Sequence, residues 1–401
     1  MSRLDELIAE LCPNGVEYLK LKDVAEVLNG YAFKSKQYVD KGIRVIRISD
    51  VQKGRISDKD VKYYPEASKK EIERYMLNDG DIVVSLTGDV GRVAQIQDVH
   101  LPAALNQRVA CLRGHTGKVL NRYLFHLLDQ VSFESDAIQA GRGSAQKNLS
   151  TVWLGNYLIP IPPIEVQEEI VRILDTFTSL TAELTAELTA RRKQYEYYRD
   201  FLLTFGNNPD IKWMTLGEIG PVCMCKRIMK AETSPVGDVP FFKIGTLGKE
   251  PDAFISQEKY DEYRKAFSFP KKGDILISAA GTIGRTVIYD GKPAYFQDSN
   301  IVWIDNDESK VLNKYLYYCY AMKPWSISTG GTIARLYNDN ISKAKIPVPP
   351  LEEQERIVAI LDRFDALCND LTSGIPAEIE ARQKQYEYYR DKLLSFKEVT
   401  A

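Results

Sequence analysis

The sequence predicts an α+β protein: two globular domains separated by two long antiparallel helices, the product of an internal duplication. Three observations predict it. Residues 156–205 recur as residues 343–396, each copy carrying an Ile-Pro-x-Pro-Pro opening, a Gln, an Ile-Leu-Asp-x-Phe run and Lys-Gln-Tyr-Glu-Tyr-Tyr-Arg-Asp. Both copies keep helical spacing over several heptads. The segments between them alternate short apolar and β-branched runs with Gly and Asp, the pattern of mixed or antiparallel sheet. The repeat is half a protein long, so it marks a duplicated chain and not a solenoid.

The expected domains are 1–155 and 206–342, and the expected spacer helices are 156–205 and 343–401. In the first domain Ile43–Ile48, Asp81–Val84 and Val109–Leu112 read as strands. In the second Val239–Ile244, Asp274–Ile277 and Asn300–Ile304 do so. The domains are themselves related: Gly80-Asp81-Ile82 matches Gly273-Asp274-Ile275, and Val119-Leu120-Asn121 matches Val311-Leu312-Asn313. The loops between these matches diverge, which fits two readers of different targets or simple drift after duplication.

Each spacer presents a seam. Leu180, Leu184, Leu188, Tyr195 and Tyr198 follow three- and four-residue steps, as do Leu367, Leu371, Tyr386 and Tyr389. These are the expected spacer and subunit-interface positions, and the two seams are expected to pair with each other. Pro162-Pro163 and Pro349-Pro350 stand at helix starts, where Pro is tolerated, with acidic residues following at the positive end of the dipole. About 40 residues give a helix of roughly 60 Å.

The register between copies shifts. Gln167 matches Gln354, 187 positions on, but Tyr195 matches Tyr386, 191 positions on. The four-residue difference falls where copy one reads Thr-Ala-Glu-Leu twice, from Thr181 to Leu188. Four residues are close to one helical turn, about 6 Å, so such a unit can be added while the seam is kept. It reads as an adjustable ruler or as a helix-favouring run. Copy two has Ser373-Gly374-Ile375-Pro376 there, and Pro376 is expected to kink or restart the helix.

The chain has 401 residues, 44% hydrophobic and 27% charged, with no apolar run of membrane-spanning length and no leader-like start. The expectation is a cytoplasmic protein with no membrane partner. Six scattered cysteines, with Cys223 and Cys225 as a lone C-x-C, are expected to be free thiols, and three histidines share no metal spacing. The net charge of −2 argues against global attraction to nucleic acid, though not against local basic loops.

Those loops carry the right side chains. Tyr31, Lys34, Lys36, Arg47, Arg108, Arg142, Ser144, Gln146 and Lys147 are the DNA-binding candidates of the first domain. Lys226, Arg227, Lys230, Lys243, Arg285, Gln297, Asn300, Thr332 and Arg335 are those of the second. Arg, Gln and Asn make paired bonds to guanine and adenine edges, while Lys and Ser serve phosphates. Each alone also reads as a solvated surface residue. No phosphate loop, methyltransferase or helicase motif is present, so no catalytic or metal residue is expected. Gly88–Gly91 and Gly281–Gly284 read as phosphate cradles or as plain strand turns.

The duplicated helix motif, the tandem Thr-Ala-Glu-Leu and the Gly-Asp-Ile strand of each half resemble the specificity subunit of type I restriction–modification systems, nearest to its IC-type branch. The start of the chain fits that family's cyclic pattern, Tyr18-Leu19 paralleling Trp213-Met214. The resemblance implies target-recognition domains that each read half of a bipartite double-stranded DNA site. It implies conserved helices that set the gap and dock two modification (methyltransferase) subunits, joined by two restriction subunits. It implies no catalysis and no cofactor in this chain, with S-adenosylmethionine, ATP and Mg in the partners. A coiled-coil interaction adaptor without DNA specificity is the alternative.

Overall fold

The computed structural model describes residues 3–143, 148–206, 208–327 and 335–399. The chain forms two compact units, residues 1–185 with 378–401, and residues 186–377. Each unit carries the same pair of sheets. In the first, a four-stranded antiparallel sheet runs in the order Ala25–Asn29, Val109–Gly114, Ile82–Ser85, Val93–Gln95. Beside it Ile43–Ile46 pairs antiparallel with Lys62–Tyr64 and parallel with Ala103–Leu105. In the second, Val222–Cys223, Ile301–Ile304, Ile275–Ser278 and Thr286–Ile288 repeat the first sheet. Val239–Phe242, flanked by Phe254–Ile255 and Tyr295–Phe296, repeats the second.

The Ile-Pro-x-Pro-Pro motif is an edge strand. Leu158–Ile161 pairs antiparallel with Glu17–Lys20, and Lys345–Val348 with Lys212–Thr215, placing Pro160 opposite Tyr18 and Pro347 opposite Trp213. Proline offers no ladder donor, so a two-stranded ribbon suits it. Its carbonyl still accepts: Tyr123 donates to Pro160 O (3.2 Å) and Tyr315 to Pro347 O (3.0 Å).

The helix Ile164–Leu203 follows, 40 residues without a break. Ile170 and Leu174 are fully buried in the core of the first unit, and their counterparts Ile357 and Leu361 in that of the second. Each such side chain contributes about 1.5–3 kcal/mol of transfer free energy. The division between units falls at Thr185–Ala186, inside the tandem Thr-Ala-Glu-Leu.

The second spacer is two helices, Leu351–Asn369 and Ile375–Leu393, as Pro376 foretold. The Asp370 carboxylate turns the chain, accepting from the Thr372 amide (2.7 Å) and from the Thr372 and Ser373 hydroxyls. A Cβ at Gly374 would lie 2.6 Å from Ala366 O, so the turn admits only glycine there. Pro376 then stands in the first turn of the new helix, where no donor is needed. Leu371, expected on the seam, lies in this turn and is 74% exposed. The cause is local: the polar residues that cap the break displace the heptad register.

The chain's two ends meet within the first unit. Val16 N donates to Lys397 O (2.8 Å) and Val399 N to Val16 O (3.0 Å). Gly15, at φ 107°, passes so close that a Cβ would lie 2.3 Å from Lys397 O.

Candidate nucleic-acid interface

Each recognition scaffold is fastened to a spacer helix by the repeated motif residues. Gln167 and Gln354 are fully buried. Gln167 Oε1 accepts from Leu120 N (3.0 Å), and its Nε2 donates to Lys118 O (3.1 Å) and Pro162 O (2.8 Å). Gln354 makes the same three bonds, from Leu312 N (2.9 Å) and to Lys310 O (2.9 Å) and Pro349 O (2.8 Å). Only an amide side chain offers both an acceptor and two donors in this geometry.

The Asp and Phe of the Ile-Leu-Asp-x-Phe run extend the joint. Asp175 accepts from Arg122 (2.7 Å) and contacts His126 Nε2 (2.9 Å), while His126 Nδ1 lies 2.9 Å from the Tyr386 hydroxyl. Burial holds the His126 imidazole below its ordinary pKa. Burial also raises the Asp175 carboxyl, but its bonds to His126 and Arg122 outweigh that and keep it below the usual carboxylate range. The ring is therefore neutral: Nε2–H donates to Asp175, and Tyr386 donates to Nδ1. In the second unit Tyr318 donates to Asp362, and Lys314 lies 3.1 Å from it. Phe177 stacks on Tyr389 (5.3 Å, 20°), and Phe364 on Tyr198 (5.5 Å, 23°). Within each unit an aromatic residue of one spacer thus stacks on an aromatic residue of the other. Leu180, Leu184 and Leu188 are half-buried, as is Tyr195, while Leu367 is exposed.

Sequence reasoning took His126 only as a core or surface histidine outside any metal site, and it gave no role to Arg122 or Asp129. Arg390 is 1% exposed and donates to Asp129 O (2.8 Å) and to the Asp129 carboxylate (3.2 Å). Burial pushes the Asp129 carboxyl up to about 6, against the pull of Arg390. The recurring Arg of the Tyr-Tyr-Arg-Asp motif was the only signal for this pair.

At one end of each four-stranded sheet three segments converge. Leu86 N donates to Arg108 O (3.0 Å), Leu149 N donates to Leu86 O (2.7 Å), and Thr87 bridges Asn148. In the second unit Ala279 N donates to Asn300 O (2.8 Å), Leu336 N to Ala279 O (2.8 Å), and Ala280 bridges Arg335. The Gly-rich turns beside them are strand hairpins. Ser85 Oγ accepts from Arg92 N and donates to Asp89 O, and Ser278 Oγ does the same with Arg285 N and Thr282 O. The amides of Gly91 and Gly284 are spent on Ser85 O and Ser278 O, which favours a plain turn over a phosphate cradle.

Arg108, Asn300 and Arg335 lie on these converging segments, and Arg142 lies in the turn Gly141–Gly143 after the helix Val131–Ala140; Ser144, Gln146, Lys147 and Thr332 lie outside the described residues. Tyr31 adjoins them through Gln107 N–H donating to Tyr31 O (2.9 Å), but its hydroxyl donates to Glu71 and its ring packs on Phe33. Lys34 and Lys36 are exposed nearby in sequence. Arg47 is committed elsewhere, paired with Asp50 (2.9 Å) and Asp60 (3.3 Å). In the second unit Arg227 pairs with Asp298 (2.8 Å), Lys243 with Asp252 (2.8 Å), and Lys226 lies over Phe267. Gln297 accepts from Ile244 N (3.2 Å), Arg285 donates to Leu247 O (3.2 Å), and Lys230 is exposed. All six cysteines are free thiols. Among the described residues no helix is long and apolar enough to cross a membrane.

One scaffold built twice, anchored identically to spacer helices and ending in divergent polar loops, defines a two-module recognition protein. The model of the type I restriction modification DNA specificity domain matches residues 13–191 and again 208–381. The chain belongs to that family. It is 54% identical over 287 residues to a protein of Haemophilus influenzae named as a type I restriction enzyme specificity subunit, covering 70% of this chain and 73% of that one. It is 36% identical over 303 residues to the EcoR124I/EcoR124II specificity subunit of Escherichia coli, covering 70% and 72%. A solved S subunit from M. genitalium shares the fold, with TM-score 0.55 and 14% identity over 95% of this chain and 96% of that one. A chain solved in work on assembly of the type I R-M system gives 0.57 and 18%, covering 95% and 98%. The chain's role is DNA sequence specificity, as a non-catalytic subunit; the adaptor alternative is not favoured.

Proposed function

We propose that each unit reads one half of a bipartite DNA site, through the three segments that converge at the end of its four-stranded sheet. The observation that carries this is the duplication of those ends, same backbone bonds and different side chains. Arg108, Arg142 and Asn300 face the bases, while Arg335 is bonded to Ser299 O beside Asn300; Ser144, Gln146, Lys147 and Thr332 are assigned to DNA contact by residue type alone. Lys34, Lys36, Lys226 and Lys230 serve phosphates. Exposed Tyr197, Phe201 and Tyr388 on the spacers dock two modification subunits, and two restriction subunits complete a cytoplasmic complex. S-adenosylmethionine, ATP and Mg belong to those partners.

Single-molecule sequencing of host DNA, with the gene intact and deleted, tests this reading. A split motif of methylated adenines that vanishes on deletion is expected; a motif unaffected by deletion refutes it. The tandem Thr-Ala-Glu-Leu at the division between units supports the ruler and the IC-type assignment. Adding one such unit after Leu188 is expected to widen the gap by one or two base pairs, since about 6 Å of helix compares with about 3.4 Å per pair. The methylated motif of the variant reads the gap directly, and an unchanged gap removes the ruler.

A further inference from the structure

We infer that the residue immediately before the strands Val109–Gly114 and Ile301–Ile304 fixes one base identity in each half-site: Arg108 a guanine, Asn300 an adenine. The inference rests on the bipartite reading and adds a position and its bases. The two residues are structural equivalents. Each carbonyl accepts the amide that follows the neighbouring central strand, Leu86 N at 3.0 Å and Ala279 N at 2.8 Å. Each follows a second shared mark: Asn106 N donates to Ile46 O (3.1 Å) and Gln297 N to Phe242 O (2.9 Å). Between these marks the first unit has two residues before its strand, Gln107 and Arg108. The second has three, Asp298, Ser299 and Asn300. The extra residue is absorbed by Ser299 at φ 58°, which restores the equivalence at the next position.

The surroundings leave these two side chains available. Arg108 is exposed and Asn300 half-buried, and neither side chain has a hydrogen-bond or ionic partner among the described residues. Their cationic neighbours are held: Arg335 by Ser299 O (2.8 Å), Arg227 by Asp298 (2.8 Å), Arg92 by Asp89 (2.9 Å) and Arg285 by Leu247 O (3.2 Å). An Arg fork matches guanine O6 and N7, and an Asn amide matches adenine N6 and N7. One backbone position thus offers different base chemistry in the two units.

The test uses the chain in complex with its modification subunits, as wild type, Arg108→Ala, Arg108→Asn and Asn300→Ala. The probes are duplexes carrying the methylated motif and every single base-pair substitution of it. Arg108→Ala is expected to weaken the parent duplex about 10–100-fold and to abolish discrimination at one G·C pair of one half-site. All other positions keep their full penalties, which shows that the variant is folded. Arg108→Asn should turn that pair neutral or towards A·T. Asn300→Ala should do the same at one A·T pair of the other half-site. Uniform weakening at every position, or loss of discrimination at other base types or in the same half-site for both residues, overturns the assignment while leaving the bipartite reading intact. A wild-type complex that shows no base preference defeats that reading itself.

Discussion

Gln167→Leu is expected to destabilise the first unit by about 3–5 kcal/mol, because three backbone groups bonded to this fully buried side chain lose their partner at about 1–3 kcal/mol each before relaxation. The amide of Leu120 and the carbonyls of Lys118 and Pro162 are all bonded by this one side chain. Leu is close in volume, so the loss reports hydrogen bonding and not a cavity. Gln354→Leu should act equally on the second unit, through Leu312, Lys310 and Pro349. Amide exchange followed by mass spectrometry separates the two, since Leu120 should lose protection in one variant and Leu312 in the other. A loss under about 1 kcal/mol, with protection retained at those amides, would mean that water replaces the glutamine.

The repeat made these glutamines visible in the sequence but not their task. Their partners are 47 and 42 residues away, at helix starts that only the fold brings back to the spacer. The spacer helices, the strands and the break before Pro376 were legible, because period, proline and glycine act locally. The loop chemistry was legible only by type. Arg47 and Tyr31 read as free DNA-facing groups, yet Asp60 and Glu71 occupy them, 13 and 40 residues on. Leu371 satisfied the heptad count, and the capping set Asp370, Thr372 and Ser373 overrode it. The networks of Asp175 and Asp362 were foreshadowed by one Asp recurring in both copies, although a repeated Asp on a helix also fits plain solvation.

Arg390→Met should cost about 3–5 kcal/mol at neutral pH, the usual effect of removing one member of a buried pair. The guanidinium is 1% exposed, lies over the Tyr386 ring and holds Asp129, which is 9% exposed. Without it an ionised carboxylate is left in an apolar site. The penalty must depend on pH. The Asp129 carboxyl already lies at about 6 in the fold, above the unfolded value of about 3.9, so folding favours its protonated form. Its contribution is therefore full below about pH 4 and is lost as pH rises through 6, and removing the cation extends that loss further up in pH. The difference between wild type and Arg390→Met, measured by denaturant unfolding, should shrink markedly from pH 7.5 to pH 5. Adding Asp129→Leu to Arg390→Met should recover most of the loss, since an apolar pair leaves no charge to compensate. In the second unit Ala321 stands at the repeat position of Asp129, and Arg199 pairs with the adjacent Asp200 at 2.7 Å as Arg390 also does with Asp391 at 3.3 Å, so the fold there does without the carboxylate. A pH-independent penalty, or a double variant no better than the single one, would show that Arg390 acts through packing on Tyr386 and not through charge.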